Sequence, residues 1–171
     1  MSDKKSEETQ ENPENSKSSA ETSQGSIADD SAAWNLAERV SWHIMEKNGE
    51  DVVVLDLRGR SDVCDFFVVA SGKTTNQVQA IARNVSTQLA GIGQKPKGME
   101  GQDQGRWSLL DYFDVVVHIF LKETREYFQL EKLWADGMRL DVTLEWFADD
   151  AVKARHPDMN FTIGAGLGGN V

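Results

Sequence analysis

Three stretches of this 171-residue chain carry residue types that could do chemistry. Gly72-Lys73-Thr74 lies between an apolar run and a helical pattern, where a phosphate-binding loop would sit. Such a loop needs a glycine five positions ahead of Gly72 so that backbone amides can wrap the anion, and Phe67 stands there instead. What remains is a helix N-terminus, which attracts anions only weakly by itself. Gly164-Ala165-Gly166-Leu167-Gly168-Gly169 has dinucleotide glycine spacing, but only Asn170 and Val171 follow. The helix whose dipole would hold a pyrophosphate is missing, so this stretch reads as a flexible tail. Asp56, Asp65, Asp111 and Asp114 could suggest a metal site, yet no Asp-x-Asp pair lies in the expected strands, and Asp65 and Asp114 read as strand ends and turn formers. His43, His118 and His156 share no ligand spacing, and His118, between Val117 and Ile119, reads as a structural histidine. No catalytic group, metal or cofactor is expected.

The sharper signal is aromatic. The run from Gly105 to Phe120 reads as two strands folded on each other, with Asp111, Tyr112 and Asp114 at the bend. Alternation puts Trp107, Leu109 and Asp111 on one side of the first strand and Ser108, Leu110 and Tyr112 on the other. One side must pack on helices. The other then turns Trp and Leu, or Leu and Tyr, outward unless another element covers it. Large aromatics with leucine and a rim carboxylate make up a typical protein-interaction hot spot. Ordinary core packing is the alternative that these residues leave open.

The elements that must position this hairpin are legible from periodicity. Trp34, Ala37, Val40, Ser41, Ile44 and Met45 recur at helical spacing, with Asp30 or Ser31 as N-cap and Gly49 just past the end. Val52 to Leu57 and Phe66 to Ala70 are apolar enough to be strands buried on both faces. Val78, Ile81, Ala82, Val85 and Leu89 line one face of a second helix that stops at Gly91. Residues 93–106, rich in glycine, make a loop. After the hairpin, a helix from about Thr124 to Ala135 carries the stripe Tyr127, Leu130, Leu133 and Trp134. Glu145 to Arg155 forms a short amphipathic helix using Trp146, Phe147 and Val152. The implied fold class is α/β, a mixed β-sheet sandwiched by helices.

Residues 1–30 hold eight Asp/Glu, three Lys and no aromatic, which predicts a disordered acidic tail. That tail carries −5 of the formal net charge of −10. So acidic a chain is poorly suited to bind a nucleic-acid backbone directly. Its charge either steers it toward a basic protein or simply keeps it soluble. Cys64 is the only cysteine, which rules out an intrachain disulfide. No apolar stretch approaches the roughly 20 residues of a membrane helix, and no signal-peptide core or transit-peptide composition is present, so a cytoplasmic location is expected.

Several pieces, in this order, resemble the ribosomal silencing factor family, also called Iojap-related proteins. They are Cys64-Asp65-Phe66-Phe67-Val68-Val69-Ala70-Ser71-Gly72, Gln77-Val78, Ala80-Ile81-Ala82, Glu100-Gly101, Gly105, Trp107, Leu110-Asp111-Tyr112, Asp114-Val115-Val116-Val117-His118-Ile119-Phe120, and Leu130-Glu131-Lys132-Leu133-Trp134. The resemblance spans Ala32 to Asp136, which divides the chain into an acidic tail (1–30), a silencing-factor domain (31–136) and a C-terminal extension (137–171). It implies a nucleotidyltransferase-like topology without the catalytic residues, since Ser71-Gly72 reverses the Gly-Ser of those enzymes. It also implies a translational repressor that acts without catalysis, binding large-subunit ribosomal protein number fourteen where the small subunit docks. The contact residues implied are Glu100, Trp107, Leu109, Leu110, Asp111, Tyr112, Phe113 and Asp114, with Asp103 adding acidic complementarity. The family usually has glycine where Phe113 stands, so a longer or different turn is expected there, with Phe113 exposed for contact. Two rivals come from other classes. One is a nucleotide-binding enzyme using the cleft beside Ser71-Gly72-Lys73, and the other a homodimer burying Trp107 against its symmetry mate.

Overall fold

The computed structural model describes residues 31–163, so the expected tail before Ser31 and the glycine-rich stretch from Gly164 lie outside the described residues. Helix α1 (Ala32–Met45) starts where the Ser31 hydroxyl accepts the Trp34 N–H at 3.1 Å, a standard N-cap. Strands β1 (Glu50–Asp56) and β2 (Phe66–Gly72) follow as an antiparallel pair. Helix α2 (Thr75–Gly91) is capped by Thr74 and buries the predicted stripe Val78, Ile81, Ala82, Val85 and Leu89.

Strands β3 (Gly98–Glu100), β4 (Trp107–Asp111) and β5 (Val115–Leu121) come next. Helices α3 (Lys122–Phe128) and α4 (Leu130–Leu133), strand β6 (Met138–Asp141) and helix α5 (Asp150–Arg155) complete the chain. The six strands form one mixed sheet in the order β3-β4-β5-β2-β1-β6, in which only β2 and β5 pair in parallel.

The sheet buries both faces unequally. Its first face, with Val52, Val54, Phe66, Val68, Leu110, Val117 and Ile119, packs on α1 and α2 in the larger core. Its second face, with Val53, Leu55, Val69, Val116 and Phe120, is covered more thinly by Leu130 and Trp134.

Three expectations are corrected. The glycine-rich loop of residues 93–106 contains β3, whose three exposed residues lack apolar alternation and become a strand only by pairing with β4. The helix expected over 124–135 breaks at Gln129, which has φ +49°. Its stripe is thereby split: Leu130 and Trp134 pack on the second face, while Tyr127 and Leu133 point to solvent, 81% and 76% exposed.

Residues 138–163 belong to the same core. Trp146 meets Trp34 edge-on at 6.0 Å, and Phe147 meets Trp42 at 5.1 Å. The buried Glu38 carboxylate on α1 accepts from Trp146 Nε1 at 3.0 Å and from Arg155 Nη2 at 2.6 Å. The His156 ring lies 2.8 Å from its other oxygen. Burial opposes ionisation of Glu38, but the bonds from His156 and Arg155 win and hold its carboxyl below the usual value.

Candidate protein-contact surface

The register between β4 and β5 decides which hairpin residues can meet a partner. Leu110 pairs with Val117 and Ser108 with Ile119, both on the face covered by α1 and α2. Leu110 is fully buried and Tyr112 only 4% exposed, its phenol pushed up to about 12 by burial. Neither can touch a partner in this fold, so their assignment to the contact patch is corrected: they are core residues. Trp107, Leu109 and Asp111 face the other way and are half-buried. Glu100 pairs with Leu109 and shares that face, while Asp103 and Asp114 are exposed nearby on loops.

Trp107 is the centre of this surface. Its ring stacks on Phe120 at 4.8 Å, lies 5.0 Å from Phe128, and donates its indole N–H to His118 Nδ1 at 3.1 Å. The backbone below is held tightly. Gly101 has φ +76°, and a Cβ there would strike the Trp107 carbonyl oxygen at 1.8 Å, so a side chain is excluded. Gln79 on α2 ties down the same loop by donating to the carbonyls of Gln102 and Asp103 at 2.8 and 3.0 Å.

Helix α3 extends the aromatic surface beyond what the sequence indicated. Arg125 buckles it to the sheet, donating to the Asp51 carbonyl at 2.8 Å, to Ser71 Oγ at 2.9 Å and to Glu131 Oε1 at 2.6 Å. Phe128, 49% exposed, thus lies against Trp107, with Tyr127 edge-on to it at 5.1 Å. Between this helix and the start of β4 runs a groove of about 710 Å³, lined by Gly101, Arg106, Trp107, Thr124, Tyr127 and Phe128. Helical periodicity assigned Tyr127 to a buried stripe, and the left-handed Gln129 that turns it outward has no glycine to announce it.

The hairpin tip has a two-residue loop. The Tyr112 N–H donates to the Val115 carbonyl at 2.9 Å, leaving Phe113 and Asp114 as the loop. Phe113 takes φ +68°, a left-handed conformation that glycine adopts readily, so the expectation of a longer turn is corrected. Its amide donates to Asp111 Oδ1 at 2.9 Å, while its ring is 61% exposed, 5.5 Å from the Lys97 ammonium. Asp65, Asp111 and Asp114 converge at this end of the sheet. Burial and then these three charges push the Cys64 thiol up to about 11, which keeps it a neutral, unreactive thiol.

The residues with catalytic types are occupied by structure. A Cβ on Gly72 would meet Val78 Cγ2 at 2.9 Å, so this glycine serves the approach of α2 to β2. The Lys73 amide is taken by Gln77 Oε1 at 2.8 Å, and the Lys73 ammonium by Glu50 at 2.8 Å. Ser71 is locked by Arg125. Asp56 holds Arg58 at 2.6 Å. Among the described residues, no group of three or more His, Cys, Asp or Glu is placed to hold a metal ion, and no helix is long and apolar enough to cross a membrane.

Residues 28–162 match the family model described as "Ribosomal silencing factor during starvation". The ribosomal silencing factor RsfS of Bacillus subtilis is 46% identical over 97 residues, which are 57% of this chain and 82% of that protein. Mouse mitochondrial assembly of ribosomal large subunit protein 1 is 25% identical over 122 residues, 67% of this chain and 54% of its own length. A crystal structure of a Chromobacterium violaceum protein superposes with a TM-score of 0.60 at 30% identity, covering 61% of this chain and 88% of that one.

Proposed function

The chain belongs to the ribosomal silencing factor family, and from that premise we propose that it binds the large ribosomal subunit in the cytoplasm and represses translation by blocking subunit joining. Its partner there is large-subunit ribosomal protein number fourteen, and the mechanism is steric exclusion without chemistry. The observation that carries this reading is the half-buried Trp107–Leu109 surface, extended by Phe128 and Tyr127 and edged by Glu100, Asp111 and Asp114. An aromatic centre inside a charged rim is the anatomy of a protein-binding hot spot. The acidic rim and the net charge of −10 suit a basic ribosomal protein and disfavour direct contact with ribosomal RNA. The mouse relative, named for assembly of the ribosomal large subunit, supports the choice of subunit. An interface of about 800 Å² per partner is enough to obstruct a neighbouring contact.

The test is co-sedimentation with purified large subunits, paired with light scattering of subunit joining. Wild type is expected to pellet and to lower the joining signal, while Trp107→Ala and Leu109→Asp stay in the supernatant. Equal pelleting of all three would move the contact surface elsewhere, and no pelleting of wild type would refute ribosome binding. Sedimentation velocity on the free protein covers the homodimer: a dimer lost in Trp107→Ala would assign this face to self-association.

A further inference from the structure

His118 sits in β5 on the second sheet face, beside Leu109 across the strand pair and only 4% exposed. Its neighbours in the strand, Val116, Val117, Ile119 and Phe120, are all apolar. An indole N–H can only donate, so His118 Nδ1 accepts from Trp107, and the neutral ring carries its own proton on Nε2. That Nε2 has no hydrogen-bond partner among the described residues. A buried donor left unmade is unfavourable, so the ring's polar contribution here is the bond that it accepts from Trp107. Phe67 meets the ring edge-on at 4.6 Å and Phe120 stacks on it at 6.1 Å, fixing its plane. Burial keeps the ring neutral, its pKa pulled down to about 4.

We propose that His118 is a positioning residue for the contact surface: its Nδ1 holds the Trp107 indole in the orientation that the partner meets. The inference rests on the reading of this face as the ribosome-contact surface. Trp107 is half-exposed, stacked on Phe120 and tilted against Phe128, contacts that are not directional in the way a hydrogen bond is. The bond to a rigid, buried imidazole fixes the ring's orientation before binding. Freezing one such side chain at the moment of association costs roughly three- to tenfold in affinity.

The experiment compares wild type, His118→Leu, His118→Asn, Trp107→Phe and the double variant Trp107→Phe/His118→Leu. Each is measured for large-subunit affinity, melting temperature and the indole N–H resonances in a ¹H–¹⁵N spectrum. Trp107 is identified there by the peak missing in Trp107→Phe. In His118→Leu we expect the Trp107 indole peak to lose its hydrogen-bonded shift and affinity to drop roughly three- to tenfold. His118→Asn, whose side-chain oxygen can take the Nδ1 position, is expected to restore most of both. The double variant is expected to bind no worse than Trp107→Phe alone, because both changes remove one interaction. Unchanged affinity in His118→Leu, with Trp107→Ala still defective, overturns the proposal and leaves the ribosomal reading standing. Additive losses in the double variant, or a loss in His118→Leu that tracks its melting temperature and is not restored by Asn, also overturn it. Failure of wild type to bind large subunits sinks the ribosomal reading and the proposal with it.

Discussion

Acidification tests the buried state of His118 without any partner. The imidazole lies under Trp107, Phe67 and Leu109 with its pKa lowered by burial from 6.5 to about 4, a nearby Glu131 charge offsetting only part of that shift. Because the folded pKa is depressed, the unfolded chain takes up a proton near pH 6.5 while the folded protein resists until about pH 4. Between those values the unfolded state binds more protons, so stability falls as pH falls. The slope is about 1.4 kcal/mol per pH unit, and the full window is worth about 3 kcal/mol. The contribution is flat above pH 6.5. His118→Leu removes this linkage, and urea unfolding followed by circular dichroism from pH 7.5 to pH 4.5 reads the difference. Wild type is expected to lose about 2 kcal/mol more than the variant between pH 7 and pH 5. Glu38 and Glu131 also titrate below their usual values, but their window lies lower and both proteins share it. Parallel stability curves would refute a neutral, buried His118, and with it the tautomer that accepts from Trp107.

Three further outcomes follow from packing. Phe113→Gly relieves a left-handed φ of +68° at roughly 1–2 kcal/mol, partly offset by glycine's freedom in the unfolded chain, so urea unfolding is expected to show equal or slightly higher stability while subunit binding weakens. Glu38→Ala strips the acceptor from Arg155, His156 and Trp146 and is expected to cost about 3–5 kcal/mol in guanidinium unfolding, with binding intact at temperatures where the variant is folded. Leu110→Ala empties a fully buried site and is expected to cost about 2–5 kcal/mol, whereas Leu109→Ala one residue away costs little stability and reads out in large-subunit affinity.

The elements with strong periodicity were legible in the sequence. The two long helices announce themselves through apolar stripes, the first also through its Ser31 cap, and β1, β2 and β5 through apolar runs. What escaped is short or set by tertiary contact. Strand β3 has three residues and β6 four, and both exist by pairing with a longer neighbour. The break at Gln129 places a left-handed residue where no glycine marks it. At the site, alternation sorted the hairpin into two sets, but each set holds large apolar residues. Only the position of α1 and α2 shows that Leu110 and Tyr112 go inward and that Trp107 and Leu109 stay at the surface. Phe128 and Tyr127 joined the surface because Arg125 pins α3 beside Trp107 through three different elements, a convergence that no local pattern encodes.

The unequal burial of the sheet separates stability from recognition. On the first face, α1, α2 and the segment around Trp146, Phe147 and Phe161 build a thick core, locked by Glu38 and by the Arg39–Asp158 bond at 2.8 Å. That segment adds its apolar mass to α1, on the side of the sheet away from Trp107, so it strengthens the fold without covering the candidate contact surface. On the second face, two short helices cover only the middle, and β3 and β4 remain open beside them. Closing that gap with a longer helix would bury Trp107 and add hydrophobic stabilisation of about 25 cal/mol per Å². The chain instead leaves the indole half-exposed and fixes it from beneath with a buried histidine that has one orphaned donor. Presenting a rigid aromatic to a partner gives that arrangement a use, because the ordering is complete before the partner arrives.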